Sequence, residues 1–282
     1  MHTTARDGQY SPAELVTMAR DRHLMVIAIT DHDTTDGVAE AQTAAHIAGT
    51  TLQNPVIVPG IELSAEDTGG DVHMLGYWMN IEDVQLQGTL TRFRQDRAER
   101  AKRIVEKLDK LGMSIRYERV IEIAEASGRR GGAIGRPHVA RAMIEAGYAD
   151  SIADAFARWL SPGLPAYVAR DRLSPEAAIA LIHSAGGAAV MAHPAKVPEY
   201  RAMVIRLVAA GLDGVEVVHP ANDANTRLEL RGLAAIYGLI TTGGSDFHGR
   251  GENGEIALGQ YNPPPDTWRL LQFAAEKHRS TP

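Results

Sequence analysis

The most constraining feature of the sequence is a recurring unit in which a short apolar stretch ends in histidine or acidic side chains. The run 25–30 ends in Asp31-His32-Asp33, and the run 188–192 ends in His193. Helical stretches separate such runs, and regular alternation of strand and helix is typical of α/β proteins with a mostly parallel sheet. The sequence therefore predicts an α/β fold built as a parallel barrel or a barrel-like sheet.

The candidate functional residues lie at the end of, or inside, a short apolar strand, except for one pair near the amino terminus. The carboxyl ends of parallel strands meet at one edge of a sheet, so these side chains are expected to converge in one cleft. Imidazole and carboxylate groups together suit zinc, manganese or iron, and shared carboxylates suit a centre of several ions. The candidates are His2, Asp7, Asp31, His32, Asp33, Glu62, His73, His193, Asp246 and His248.

Each candidate also has an ordinary structural interpretation. A single histidine after a strand is more often a core or surface residue than a ligand, Glu62 is also explained as an ion-pair partner, and His73 as a sheet residue. The recurrence favours metal binding, because burying so many unpaired polar groups without cations is costly. The remaining histidines are assigned structural roles, although His219 follows a strand and is kept as a possible pocket residue. These are His23, His46, His183, His219 and His278.

Composition excludes several classes of protein. The net charge of −6 provides no basic field for long nucleic acid, so a phosphate-bearing ligand must be small or bound at its end. The absence of cysteine excludes disulfides and thiolate zinc sites, which leaves nitrogen and oxygen ligands. The sequence offers neither a signal-peptide pattern nor an apolar run of about 18 residues, so a cytoplasmic protein without a membrane role is expected. The oligomeric state is left open.

A long insertion interrupts the strand and helix rhythm. Residues 81–164 read as charged helical pieces, so the sequence predicts a barrel from 1–80 and 165–282 with an inserted helical subdomain. Basic residues on one predicted helix, and the start of another, are candidates for binding a second phosphate. Interleaved Asp96 and Glu99 make a solvated charged face an equally good explanation. The basic candidates are Arg97, Arg100, Lys102, Arg103, Arg136 and His138.

Five separated blocks resemble the PHP (polymerase and histidinol phosphatase) family. They are His2-Thr3-Thr4-Ala5-Arg6-Asp7-Gly8, Ile29-Thr30-Asp31-His32-Asp33-Thr34, Gly60-Ile61-Glu62-Leu63-Ser64, Ala192-His193-Pro194 and Gly244-Ser245-Asp246-Phe247-His248. They occur in the family's order and span nearly the whole chain. The insertion and Val72-His73 further resemble 3',5'-nucleoside bisphosphate phosphatases, including members that act as 5'-to-3' exonucleases on short RNA ends.

The resemblance implies a distorted (β/α)7 barrel with up to three divalent ions, manganese or iron being favoured over zinc. His2, Glu62 and Asp246 would hold one ion, Glu62, His73 and His193 a second, and Asp7, His32 and His248 a third. His193, Asp246 and His248 are the predicted catalytic residues, mainly as ligands for ions that activate water, because a metal-bound histidine is poorly suited to carry a proton. Arg100, Lys102, Arg103 and His138 are the implied substrate contacts.

One departure from the family pattern concerns the first block. The family motif is His-x-His after a short apolar strand, whereas here His2 is the second residue, so the first histidine and most of the first strand have no counterpart. Either the natural start lies upstream or the strand is truncated. In both cases the first ion is expected to bind more weakly, or to be completed by water, which metal analysis would test.

Three functions are consistent with the sequence. The leading one is hydrolysis of phosphate from 3',5'-nucleoside bisphosphates. The second is stepwise 5'-to-3' trimming of short RNA, which differs in the chain length of the best substrate. The third is a catalytically weakened module that binds metals or nucleotides, supported only by the missing first histidine.

Overall fold

The computed structural model describes residues 1–47, 54–68, 70–126, 134–169, 172–249 and 258–280. The strands in these ranges are β1 (Val26–Ile29), β2 (Val56–Asp67), β3 (Gly70–Tyr77), β4 (Ala188–Met191), β5 (Gly214–Val218) and β6 (Ile240–Gly243). The helices are α1 (Pro12–Asp21), α2 (Asp36–Ile47), α3 (Val84–Lys110), α4 (Tyr117–Ala126), α5 (Arg136–Glu145), α6 (Ile152–Ala155), α7 (Pro175–Ser184), α8 (Tyr200–Ala209), α9 (Ala224–Tyr237) and α10 (Thr267–Arg279).

The six strands form one sheet in sequence order, from β1 at one edge to β6 at the other. β1 is parallel to β2, and β4, β5 and β6 are parallel to one another, with a helix between successive strands. This arrangement confirms the predicted α/β fold with a barrel-type sheet.

The third strand departs from the parallel pattern. β3 is antiparallel to both β2 and β4. Only two residues separate Asp67 at the end of β2 from Gly70 at the start of β3, which is far too short for the crossover that parallel strands need. His73 lies inside a strand, as the sequence predicted, but this strand is antiparallel to both neighbours, whereas a mostly parallel sheet was expected.

Apolar packing against both faces of the sheet fixes the strand ends. Leu15 and Val16 of α1 pack with Ile27 and Ile29 of β1 in one core cluster. Ser11 caps α1 through a reciprocal hydrogen-bond pair with Glu14, and Pro12 occupies the first helical position. Full burial of each such aliphatic side chain contributes about 1.5–3 kcal/mol, so this packing holds the carboxyl end of β1 firmly. The edge of the sheet at the carboxyl ends of β1, β4, β5 and β6 is called the rim.

Met1 continues the hydrogen-bonding pattern at the β1 edge. Its ammonium donates to the carbonyl of Ala28 at 3.3 Å, and its carbonyl accepts from the amide of Thr30 at 3.0 Å. Such alternating bonds are those of a parallel neighbour, and they deliver His2 to the rim. A mainly apolar cavity of about 300 Å³ lies between the two edge strands, lined among others by Val26, Ala28, Val58, Ala192, Thr242 and Leu271.

The chain divides into two compact units, Met1–Gly88 with Arg172–Pro282, and Thr89–Asp171. The second unit is helical and has its own core, which includes Leu108, Val139, Met143 and Leu160. It begins and ends several residues later than the predicted insertion 81–164. No helix in the described ranges combines the length and apolar character needed to cross a bilayer.

Candidate metal centre

The loop after β1 fixes its neighbours and leaves His32 directed at the rim. Asp31 accepts hydrogen bonds from the amide and hydroxyl of Thr3 at 2.6 and 2.8 Å. Asp33, at a positive φ of 51°, accepts from the amide and hydroxyl of Ser64 at 2.8 and 3.0 Å. Both carboxylates are thus used to attach the amino-terminal segment and β2 to this loop.

Glu62 lies at the centre of the cluster, and its side chain is almost completely buried. Its Oε1 lies 2.6 Å from Nδ1 of His73 and 3.1 Å from Nε2 of His193, while its Oε2 lies 3.1 Å from Nε2 of His2. His73 and Glu62 are diagonal neighbours on one face of the β2–β3 hairpin, since Ser64 pairs with His73. Three imidazoles therefore share one carboxylate.

A second group lies around His2. Its Nε2 is 3.1 Å from Oδ1 of Asp246, and its ring stacks on that of His248 at 3.9 Å. Ligand atoms of His2, Asp7, His32 and His248 all lie within 4.8 Å of one another. Together with the Glu62 contacts, all eight predicted metal residues are brought to one place.

Unusual backbone conformations present two of these side chains. His193 has φ 29° and Asp246 has φ 50°, values that non-glycine residues rarely adopt. Each follows a strand of the sheet, β4 or β6, and each turns its side chain back to the rim. Strain of this kind, about 1–3 kcal/mol per residue, is concentrated at functional sites.

Electrostatics among these side chains favour proton-bridged pairs. Burial lowers the pKa of His2, but hydrogen bonds to Asp246, Asp7 and Glu62 outweigh it and raise that pKa to about 10. Burial raises the pKa of Glu62, but hydrogen bonds from His193, His2 and His73 hold it well below its usual range. Burial lowers the pKa of His32 to about 4. The Glu62 carboxylate is therefore ionised and able to bind a cation.

Several buried polar atoms at the rim lack a hydrogen-bond partner within the described residues. They include Nδ1 of His32 and Nδ1 of His193. Unpaired buried polar groups are costly, and ring nitrogens and carboxylate oxygens are the donors that divalent transition metals prefer. The cluster therefore fits divalent cations.

The sequence did not assign Glu216 and Lys196 to the rim, and it offered His219 only as a pocket residue without a role. Glu216 of β5 is fully buried and accepts from the amide of His193 at 2.8 Å, and its burial raises its pKa to about 8. Lys196 Nζ lies 3.3 Å from Oδ2 of Asp246. His219 Nε2 lies 3.5 Å from the same oxygen. Two sequence features could have identified these residues. Glu216 is an acidic residue inside an apolar strand, and His219 begins a second His-Pro pair that follows a strand.

Hydrogen bonding distinguishes the tautomers of two of these rings. Nδ1 of His248 lies 2.7 Å from the carbonyl of Asp246, so it must donate, and a neutral ring then carries its lone pair on Nε2. Nδ1 of His219 accepts from the amide of Ala221 at 3.0 Å, so a neutral His219 carries its proton on Nε2. His248 is thereby suited to bind a cation, whereas His219 is suited to donate a hydrogen bond toward Asp246.

The basic candidates of the helical unit occupy two kinds of environment. Arg100 donates to the carbonyl of Val168 at 2.7 Å and lies over the ring of Tyr167. His138 is buried and accepts from the amide of Gly135 at 3.1 Å. Lys102 and Arg103 are exposed on α3.

No protein-family model matches the chain. It is 35% identical over 251 residues to the 5'-3' exoribonuclease Rnm of Escherichia coli K12, covering 88% of this chain and 83% of the relative. It is 31% identical over 278 residues to the 3',5'-nucleoside bisphosphate phosphatase of Chromobacterium violaceum, covering 96% and 94%. A crystal structure described as a metal-dependent phosphoesterase from Bifidobacterium adolescentis superposes with a TM-score of 0.77 at 32% identity, covering 97% and 94%.

Proposed function

The chain belongs to the PHP family of metal-dependent phosphoesterases, and from this we propose that it removes phosphate from 3',5'-nucleoside bisphosphates. The observation that carries the proposal is the convergence of imidazole and carboxylate groups on Glu62. The 3',5'-nucleoside bisphosphate phosphatase of Chromobacterium violaceum aligns with 96% of this chain.

The contacts support an arrangement of three cation positions. His2, Glu62 and Asp246 form one set, and Glu62, His73 and His193 form a second. Within each set, the ligand atoms that contact each other are 2.6–3.2 Å apart. Asp7, His32 and His248 form the third. Mn²⁺ or Fe²⁺ is the proposed occupant, as the family resemblance implies, with Zn²⁺ as the alternative. Nitrogen and oxygen ligands suit all three ions.

Divalent ions held by these residues would activate water at neutral pH and neutralise the charge of a phosphate ester. The protein's own part is positioning. One carboxylate oxygen of Glu62 contacts His2 and the other contacts His73. Glu62 therefore fixes the distance between the two ligand sets that share it. Asp31 and Asp33 hold the backbone that carries His32, and the amide of His193 is fixed by Glu216.

Two further groups at the rim suit the substrate phosphate. Lys196 is half exposed, and its ammonium lies beside Asp246, where it is available to an incoming anion. His219 carries its proton on Nε2 in the neutral ring and directs it toward the same carboxylate. A donor placed at this point can stabilise negative charge as it develops on a phosphate oxygen or on the leaving oxygen.

Recognition of the second phosphate is assigned to the helical unit. Arg100, Lys102, Arg103 and His138 are the proposed contacts. Lys102 and Arg103 present exposed charges on α3, and Arg100 and Arg136 both lie over the ring of Tyr167. Guanidinium groups match phosphate geometry, so this cluster supports the assignment.

The decisive experiment is a metal-reconstituted assay with four substrates. A 3',5'-bisphosphate nucleotide, a nucleoside monophosphate, histidinol phosphate and a short 5'-phosphorylated RNA are compared at equal Mn²⁺. The proposal predicts the highest kcat/KM for the bisphosphate. The 35% identity to an exoribonuclease supports stepwise RNA trimming as the second candidate, and preference for RNA of several nucleotides would favour it. Turnover of none of the four would favour a weakened binding module.

A further inference from the structure

A separate cluster of two histidines and one aspartate lies away from the rim. His183 Nε2 is 2.8 Å from Oδ2 of Asp213, and His278 Nε2 is 3.1 Å from Oδ1 of the same carboxylate. The two imidazole rings are stacked with centroids 3.6 Å apart. Sequence reasoning gave both histidines structural roles because they had no carboxylate partner in register, and the tertiary structure supplies Asp213.

This group is separate from the rim centre. Asp213 precedes β5, and its Oδ2 also accepts from the amide of Ala189 near the start of β4. The rim residues His193 and His219 follow the opposite ends of these strands. A strand of about five residues spans roughly 17 Å, so the two groups lie at opposite ends of the sheet.

We propose that His183, Asp213 and His278 form an additional binding site for a divalent transition ion such as Zn²⁺. Two imidazole nitrogens and one carboxylate oxygen are an established ligand set for zinc, with water completing the tetrahedron. All three ligand atoms lie within 4.8 Å of one another. Bonds of about 2.0–2.1 Å at tetrahedral angles separate ligand atoms by about 3.3 Å, close to the two histidine–aspartate distances found here. To bind one ion, the two stacked rings must tilt so that the ion lies in the plane of each ring.

The surroundings favour a cation at this place. His183 lies in the last turn of α7 and His278 in the last turn of α10, where the helix carbonyl ends carry partial negative charge. The amide of Ala189 fixes the orientation of Asp213, as outer hydrogen bonds do at metal sites. Side-chain exposure of 15–26% across the three residues leaves access for an ion and for water.

The proposed ion would connect three distant parts of the chain. Residues 183 and 213 are 30 positions apart, and 213 and 278 are 65 positions apart. Binding to the folded state alone raises its stability, so Zn²⁺ at this site stabilises the attachment of α10 to the sheet. The chemistry at the rim is not required for this effect.

The test measures zinc itself. Purified protein is saturated with Zn²⁺, dialysed at low free zinc, and its zinc content per chain is determined for wild type, His278→Phe and His46→Phe. Phenylalanine keeps a ring to stack on His183 but removes the nitrogen, and His46 is an exposed control on α2. We expect His278→Phe to lose about one ion per chain and His46→Phe to lose none. Equal zinc content in His278→Phe and wild type overturns the site.

A second measurement separates this site from the rim. In an Asp246→Ala background, which removes one ligand of the rim centre, Zn²⁺ is expected to raise the midpoint of thermal unfolding. Adding His278→Phe should reduce this rise, whereas adding His46→Phe should leave it unchanged. A rise that is as large with His278→Phe as with His46→Phe contradicts the proposal. If His278→Phe does not fold, His183→Gln is compared in its place, with the same expected outcomes. Loss of phosphatase activity has no bearing on either measurement.

Discussion

Nδ1 of His73 lies 2.6 Å from Oε1 of Glu62, across a hairpin that connects two adjacent strands of the sheet. By local sequence these two residues were the weakest candidates, yet Glu62 is the one carboxylate in the described rim whose oxygens lie near four imidazole rings. The negative charge of Glu62 therefore attracts the surrounding imidazole rings and any cation that they bind.

Glu62→Gln should abolish activity and reduce metal binding. The amide keeps the shape of the side chain but loses the charge that two proposed cation positions share, so affinity is expected to fall at least about 100-fold. Metal content and kcat with Mn²⁺ measure the effect. Glu66→Gln, an exposed position on the same strand, is the control. Wild-type metal content in Glu62→Gln would contradict the proposed arrangement.

Metal binding at His2 should release a proton. Despite burial, hydrogen bonds to Asp246, Asp7 and Glu62 raise the pKa of His2 to about 10, so metal-free protein holds this ring protonated at neutral pH. Apparent affinity should then rise about tenfold per pH unit from about pH 7 to 9. Calorimetry in buffers of different ionisation enthalpy counts the protons. An affinity independent of pH in this range would refute the expectation.

The same shift affects the stability of the metal-free protein with the opposite sign. A histidine whose pKa is higher folded than unfolded stabilises the protein fully below the unfolded value of about 6.5. That contribution is lost as pH rises through about 10. Thermal unfolding in the presence of a chelator should therefore show decreasing stability over this range, and His2→Gln should flatten the dependence.

His219→Gln should lower kcat without removing metal. The neutral ring carries its proton on Nε2, 3.5 Å from Asp246, and is proposed to donate to the reacting phosphate. Loss of one hydrogen bond to a charged group corresponds to about tenfold or more in rate. A wild-type metal content together with a reduced kcat is the expected pair of results. Reduced metal content would show instead that His219 acts mainly by supporting Asp246.

Asp31→Asn should destabilise the amino-terminal segment. Both carboxylate oxygens accept from Thr3, and an amide can offer only one acceptor there. Leaving one buried group unpaired costs about 1–3 kcal/mol, which denaturant unfolding can measure. His2 should also bind metal more weakly because its backbone loses this attachment. Asp21→Asn, at an exposed position, should leave both quantities unchanged.

Arg103→Ala tests recognition of the second phosphate. The side chain is exposed on α3, so its removal should leave stability nearly unaltered. We expect KM to rise for a 3',5'-bisphosphate nucleotide and to stay constant for a monophosphate, since only the former carries a second phosphate. Lys110→Ala, exposed at the end of the same helix, is the matched control. An equal effect on both substrates would remove Arg103 from this role.

Several features of the fold followed from the sequence because they depend on local physics. The apolar runs before His32, His193 and Asp246 form the predicted strands, since short apolar segments bounded by loops are buried in α/β sheets. The direction of β3 was not foreseen, although the two-residue connection after Asp67 excludes a parallel crossover.

Sequence alone determined the chemical kind of site, because residue types and their recurrence at strand ends limit the donors to imidazole and carboxylate. Tertiary structure decided which of them meet. Asp31 and Asp33 sit beside His32 in the chain, yet their oxygens are used by Thr3 and Ser64. His183 and His278 acquire a shared carboxylate only when Asp213 folds between them. Side-chain direction depends on long-range hydrogen bonds and packing, and a linear pattern does not contain these.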